Sequence, residues 1–308
     1  MNITFRQLRL FLALAETGSV GGAARALHVT QPTASMALRE VAQAVGLPLY
    51  ELVSRRVHLT EAGEELARTA RRVVDEWEAF EQRVDAMKGL TRGRLKVAVV
   101  STAKYFVPRL LGGFCQQHPE IDIALEILNR DGVVARLREN RDDLYIMSMP
   151  PDDLDLEDRV FMPNPLVVIA PADHPLAGQR AIDPRRLREE RFILREKGSG
   201  TRMAVDAHWR RLRAAPPVRL ELGSNEAVKE AVAGHLGLSV VSVHALGERW
   251  ADQGLCVLDV QGFPIRSQWH VVRLRQKRPS PIARVFEQHL AAQARDWSPP
   301  AGLGDDTG

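Results

Sequence analysis

Apolar positions recur at three- and four-residue spacing through the first fifty residues, and beyond residue 95 they gather into short apolar runs separated by amphipathic stretches. In the first region Leu8, Phe11, Leu12, Leu14 and Ala15 predict a helix that stops at Gly18, with Ser19 capping a short second helix through Ala23 to Leu27. His28-Val29 forms a joint, and Thr30 caps a third helix in which Pro32 suits the first turn. That helix turns Ala34, Ala37, Leu38, Val41 and Val45 inward, leaves Gln31, Thr33, Ser35, Met36 and Arg39 on or near its outer face, and ends at Gly46. Two short helices around a tight joint predict a helix-turn-helix. After Pro48, the alternation of Val57 and Leu59 predicts a strand, with Arg55-Arg56 at the bend before it, as in a wing.

From Thr60 to about Lys88 a long helix carries Leu66, Ala70, Val73, Val74, Trp77, Phe80 and Val84 as one apolar stripe. Such a stripe can pack on its own domain, but between a small head and a separate body a dimer-forming linker is the preferred expectation. Thereafter strands and helices alternate. Strands are expected at 95–102, 121–128, 144–147, 166–170, 192–194, 218–222, 238–242 and 269–274. Helices are expected at 106–118, 133–140, 183–189, 202–212, 225–233 and 282–294. The alternation predicts parallel sheets with helices on both faces. Pro150-Pro151, Pro163 and Pro165 mark places where the chain passes between lobes. The expected domains are 1–60, a linker helix 61–89, one lobe from 90–163 with 267–297, a second lobe 164–266, and a disordered tail 298–308.

Composition narrows the class. A chain of 308 residues with 45% hydrophobic and 26% charged residues exceeds what one core usually organises and shows no fibrous or disordered bias. Without an apolar run of roughly 18 to 20 residues or a leader pattern, a cytoplasmic location is expected, with no membrane contact. Cys115 and Cys256 are too few for a disulfide framework and match no metal spacing. Net charge is only +3, but it is unevenly placed: residues 1–60 hold six basic groups against three acidic, and residues 61–89 five against eight. The head alone is suited to a polyanion.

The residues Arg6-Gln7-Leu8-Arg9, Ala23-Ala24, Leu27, Thr30 to Ser35, Gly46 to Glu51, Arg55-Arg56 and Leu59 to Gly63 together resemble the LysR-type transcriptional regulators. The likeness extends over nearly the whole chain. It implies a mixed fold: an N-terminal winged helix-turn-helix, mainly α, a long linker helix, and a two-lobed α/β effector domain resembling periplasmic binding proteins. The body is similar to the CbbR type, regulators of Calvin-cycle carbon-fixation operons, through residues 101–120, 139–147, 164–178, 192–202 and 223–232. The resemblance implies double-stranded promoter DNA as partner, a homodimer through residues 61–89, a homotetramer, and RNA polymerase as a further partner. Gly21-Gly22 depart from the polar, helix-favouring residues expected before Ala23-Ala24.

A helix reads DNA through exposed N-terminal side chains that reach base edges, while other contacts hold its register. Gln31 and Thr33 are expected at or near base edges, with Pro32 stiffening the helix start. Ser35 and Arg39 are assigned to phosphate or groove-wall contacts, and Arg55 and Arg56 to wing contacts with phosphate or the minor groove. For a ligand, the cleft at the carboxyl ends of strands is the expected place. Ser101-Thr102 follow one strand, Gly198-Ser199-Gly200-Thr201-Arg202 follow another and open a helix, and Asn225-Glu226 begin a third. Backbone N–H groups, hydroxyls and a guanidinium would there converge on an anion, with Lys104 and Asn129 as additions. The CbbR likeness implies a small anionic metabolite as effector, a phosphorylated sugar or acid such as ribulose bisphosphate or phosphoglycolate, or a nucleotide such as NADPH. No cofactor is expected. An enzyme is disfavoured because no nucleophile elbow, zinc motif, phosphate loop or dinucleotide fingerprint occurs, and a solute-binding protein because of the head. A LysR-type regulator of another pathway is the alternative.

Overall fold

The computed structural model describes residues 2–53, 56–87, 92–213, 215–247 and 249–294. The chain forms two units that divide near residue 90. Arg55, the linker's end at 88–89 and the tail 298–308 lie outside the described residues.

In the first unit, α1 (Phe5–Thr17) begins in a capping box between Thr4 and Gln7 and ends at Gly18 in the left-handed conformation. α2 (Val20–Ala26) is capped by the Ser19 hydroxyl, which accepts from the Gly22 N–H at 3.0 Å. A Cβ on Gly22 would stand 2.6 Å from Thr17 Cβ, so a side chain there would push α2 off the end of α1. This close approach accounts for Gly22, whereas the position at Gly21 has ordinary space. α3 (Gln31–Val45) is capped by Thr30 and ends at Gly46. β1 (Tyr50–Val53) and β2 (Arg56–Leu59) pair antiparallel as the wing. Phe11, Leu14, Ala23, Ala34, Leu38 and Leu49 form the shared core.

α4 (Glu61–Met87) starts where Thr60 Oγ1 accepts from Gly63 N–H at 3.1 Å. Its apolar residues form two stripes where the sequence suggests one. Leu66 leans on the head core, and Ala70 and Val74 close on Leu12. Val73, Trp77 and Phe80 stand on a different face, 44%, 49% and 47% exposed. The turn of the helix separates them, since 66, 70 and 74 repeat every four residues while 73, 77 and 80 follow their own row.

The second unit contains two five-stranded sheets. In chain order its elements are β3 (Gly93–Val100), α5 (Val107–Gln117), β4 (Ile121–Leu128), α6 (Arg130–Arg138), β5 (Leu144–Met147), β6 (Leu156–Pro163), β7 (Leu166–Pro171), β8 (Phe192–Arg195), α7 (Gly200–Leu212), β9 (Val218–Leu222), α8 (Asn225–Ala233), β10 (Leu238–Ser242), the short α9 (Val243–Leu246), β11 (Leu255–Leu258), β12 (Gln268–Leu274) and α10 (Pro281–Gln293). The first sheet has the order β4-β3-β5-β12-β6 and the second β11-β7-β10-β8-β9.

The sheets are mixed, which corrects the expectation of purely parallel ones. β4, β3 and β5 run parallel, but β12 is antiparallel to both β5 and β6. Likewise β9, β8 and β10 are parallel, whereas β7 runs antiparallel to β10 and β11. The strands that break the pattern flank the passages between sheets, where no helical crossover reverses the chain. β6 and β11 have no counterpart in the sequence reading. Residues 183–189, expected as an α-helix, form a 3-10 helix over Pro184–Glu189 instead. The two sheets bury separate apolar cores, one around Phe114, Tyr145 and Trp269, the other around Phe192, Val205 and Trp209.

Candidate nucleic-acid interface and ligand cleft

The start of α3 is exposed through Gln31, Pro32 and Thr33, while Ala34 and Leu38 anchor it from below. The Thr33 hydroxyl lies 2.8 Å from that of its own cap, Thr30, so its orientation is fixed before any partner arrives. Ser35 is half-buried, and Arg39 and Arg56 are exposed and make no ion pair among the described residues. Met36, 60% exposed, adds an apolar surface beside these polar groups, of the kind that suits a thymine methyl. Its apolar character in an otherwise polar outward row was the signal available in the sequence.

Within the second unit, the carboxyl ends of β3, β4, β8 and β9 lead into the segments that carry the predicted ligand residues. Arg195, the last residue of β8 and 3% exposed, organises this place. Its guanidinium donates to Asn225 Oδ1 at 2.8 Å and to Ser101 Oγ at 3.1 Å, and pairs with Glu196 at 2.8 Å. Asn225 Nδ2 in turn donates to Thr102 Oγ1 at 3.1 Å. Ser101, Thr102 and Asn225 are thus brought together by an arginine that sequence reading did not single out.

The glycine-rich turn divides into two parts. Gly198 adopts φ +88° and a Cβ there would collide with the Asp131 carboxylate, while the Asp131 N–H donates to Gly198 O at 3.3 Å, drawing the starts of α6 and α7 together. Ser199 and Thr201 are buried. Of the helices α6, α7 and α8, only α7 lacks a cap from a side chain. Asn129 Oδ1 accepts from Gly132 N–H and the Ser224 hydroxyl from Ala227 N–H, but Ser199 makes no such bond at Gly200. An uncapped helix start presents N–H donors and positive partial charge to an anion. Arg202 does not join it: its guanidinium binds Asp206 at 2.9 Å, Glu221 at 2.8 Å and the Arg195 carbonyl at 2.8 Å. Asn129 is occupied as a cap.

Lys104 and Glu226 meet across the cleft at 2.9 Å, and Tyr105 Oη donates to Glu226 Oε1 at 2.7 Å. Partial burial would raise the Glu226 carboxyl, but the bonds from Tyr105 and Lys104 win and hold it at about 2. Burial and the Glu226 carboxylate push the Tyr105 phenol well above its ordinary value. These groups therefore form an ionic tie between the two lobes. No group of metal-ligating side chains and no helix able to cross a membrane occurs among the described residues.

A winged helix-turn-helix followed by a two-sheet domain with a cleft at its strand ends defines a ligand-responsive DNA-binding regulator. Residues 5–64 match the bacterial regulatory helix-turn-helix model of the lysR family, and residues 88–295 the LysR substrate binding domain. The chain belongs to the LysR family of transcriptional regulators. It is 44% identical to the RuBisCO operon transcriptional regulator of Acidithiobacillus ferrooxidans, covering 95% of each chain. With the HTH-type transcriptional activator CmpR of Synechocystis sp. it shares 42% identity over 94% of this chain and 96% of that one. The Synechocystis CcmR regulatory domain in complex with 2-PG superposes with a TM-score of 0.65 at 48% identity, covering 67% of this chain and 99% of that domain.

Proposed function

We propose that the protein controls transcription of a carbon-fixation operon by binding its promoter DNA through α3 and the wing, in response to a small phosphorylated acid. The observation that carries the ligand assignment is the convergence of Ser101, Thr102, Arg195 and Asn225 beside the uncapped start of α7, a cage of donors with one buried guanidinium. Its occupant is a compound of the phosphoglycolate class, in keeping with the complex of the related CcmR domain. Gln31 and Thr33 read base edges, with Ser35, Arg39, Arg55 and Arg56 on the backbone. Trp77 and Phe80, exposed beside the half-buried Phe5, join two copies through α4, and dimers pair into a tetramer that contacts RNA polymerase. The protein acts in the cytoplasm and has no catalytic role.

Ligand and DNA are coupled only through different affinities for two arrangements of the lobes. Fluorescence anisotropy with the promoter of the RuBisCO genes from the same genome tests the reading. Binding in the nanomolar range, with affinity or DNase footprint altered by saturating 2-phosphoglycolate, is the expected result. An unchanged footprint together with no rise in melting temperature on adding 2-phosphoglycolate would refute the ligand assignment.

A further inference from the structure

Of the exposed side chains of α3, all but Pro32 and Met36 are polar. Met36 is an unbranched apolar chain left 60% exposed, on a helix whose anchors Ala34, Leu38 and Val41 are no more than 1% exposed. Each residue of an α-helix turns about 100° from the last, so Ala34 and Leu38 lie about 160° from Met36 and Val41 about 140°. Met36 therefore stands nearly opposite the anchored side of α3, on the line along which the helix projects furthest from the head. Gln31 lies about 140° round from it and is exposed because it begins the helix.

On one side the polar neighbours of Met36 are already engaged. Thr33, about 60° round from it, holds its hydroxyl 2.8 Å from that of Thr30. Glu40, about 40° round on the same side, accepts from Gln7 Nε2 at 2.8 Å, which draws its carboxylate back toward α1. On the other side stand Pro32, whose side chain has no polar group, and Arg39, exposed and outside any ion pair among the described residues. The centre of the outward face thus offers a thioether and its methyl group in place of a hydrogen-bonding group. Long helical side chains lean toward the N-terminus of their helix. That carries the apolar surface toward the turn of Pro32 and Thr33, the end of such a helix that meets base edges.

Major-groove edges carry donors and acceptors at every base pair, but thymine alone of the four bases adds an apolar group there, its C5-methyl. We infer that Met36 is a specificity-determining residue that packs on the C5-methyl of a thymine in each half-site and makes the head select thymine at that position. The inference rests on the reading of α3 as the helix that enters the major groove, and adds to it the base that the helix selects. Arg39, about 60° round the helix from the methyl contact, then faces the phosphates that border the groove and holds the register.

The full-length protein selects its sites from a pool of randomised duplexes, so the outcome does not depend on which operon it controls. In the selected site each thymine is then replaced singly by deoxyuridine, which lacks only the methyl group. Affinity is read by fluorescence anisotropy at a salt concentration where every variant binds. At one thymine per half-site the replacement is expected to weaken binding roughly three- to fivefold, the worth of one buried methyl group. Met36→Ala should weaken binding to the thymine site and make it indifferent to deoxyuridine there. Met36→Leu, apolar and of similar volume, should keep the difference, and Gln31→Ala should lower affinity while leaving it in place. Failure to select any site would remove α3 as the reading helix and this inference with it. A selected site in which no thymine responds to deoxyuridine, or in which the response persists in Met36→Ala, overturns the role of Met36 alone.

Discussion

The helix-turn-helix and the ligand cleft organise their polar groups in opposite ways. At the start of α3 the side chains of Gln31 and Thr33 are exposed, and Thr33 is bonded to its own cap, Thr30. In the cleft the corresponding groups are already bonded to one another, with Arg195 at the centre. The difference follows from what each must meet. A DNA backbone delivers its charge to exposed side chains, whereas a small anion is held only where water has been displaced and donors are fixed in advance. A consequence is that function and stability should separate cleanly in the head and remain entangled in the cleft.

The harshest test of that separation is Gly22→Val, which forces a branched side chain against Thr17. It should destabilise the first unit by about 3 kcal/mol and abolish DNA binding, with the second transition in calorimetry unmoved. If one transition carries both units, the comparison fails. Next, Arg195→Ala removes a buried charge and leaves Asn225 and Ser101 without their partner. About 2–3 kcal/mol should be lost from the second unit, lowering its melting temperature by roughly 6–8 °C. The stabilisation by 2-phosphoglycolate should vanish with it.

Gln31→Ala should do the reverse, reducing promoter affinity by roughly ten- to a hundredfold with no change in melting temperature. Arg39→Ala sharpens the same point, since a phosphate contact lowers the slope of log affinity against log salt by about 1. The smallest effect concerns pH. Burial holds His208 and His244 below the ordinary imidazole value of 6.5, so both are neutral in the folded chain. Their contribution is complete above pH 6.5 and declines as pH falls toward the lowered values. The second unit should therefore melt earlier at pH 5.5 than at 7.5, and His244→Phe, placed between Phe106 and Trp269, should flatten that dependence. A flat profile in the parent protein would remove the imidazoles from the account.

Much of the head was legible because its signals are local. Ser19, Thr30, Gly18 and Gly46 act within one turn of the helices they bound, and the three-four spacing of apolar residues needs no distant partner. The second unit was legible in its helices and central strands, less so at its edges. β6 reads Leu-Glu-Asp-Arg-Val-Phe-Met-Pro, and as the border of the first sheet it exposes Asp158, Arg159 and Val160 in succession, so no apolar run or clean alternation announces it. Arg-Arg-Leu-Arg-Glu in 185–189 has helical composition, yet Pro184 and the Asp183 cap close only a tight turn.

The cleft shows the same limit. Ser101, Thr102 and Asn225 stand out in the sequence because each opens a helix after a strand. Arg195 was missed because, within Phe-Ile-Leu-Arg, it is only the end of a buried strand, and Ser101 is 94 positions away. Arg202 was favoured by its place in the glycine-rich turn, although Asp206 four residues on was a sign that its charge would be met within the helix.

The position of β12 also bears on the order in which the protein can be made. It lies inside the first sheet, between β5 and β6, yet it leaves the ribosome only after every strand of the second sheet. During synthesis β5 must wait with one edge open while an entire neighbouring sheet closes. The nascent chain therefore has its own period of exposure, centred on Leu144 to Met147, which ends only when Trp269 is delivered to the core. Chaperone protection, codon usage and translation speed should matter most between those two points.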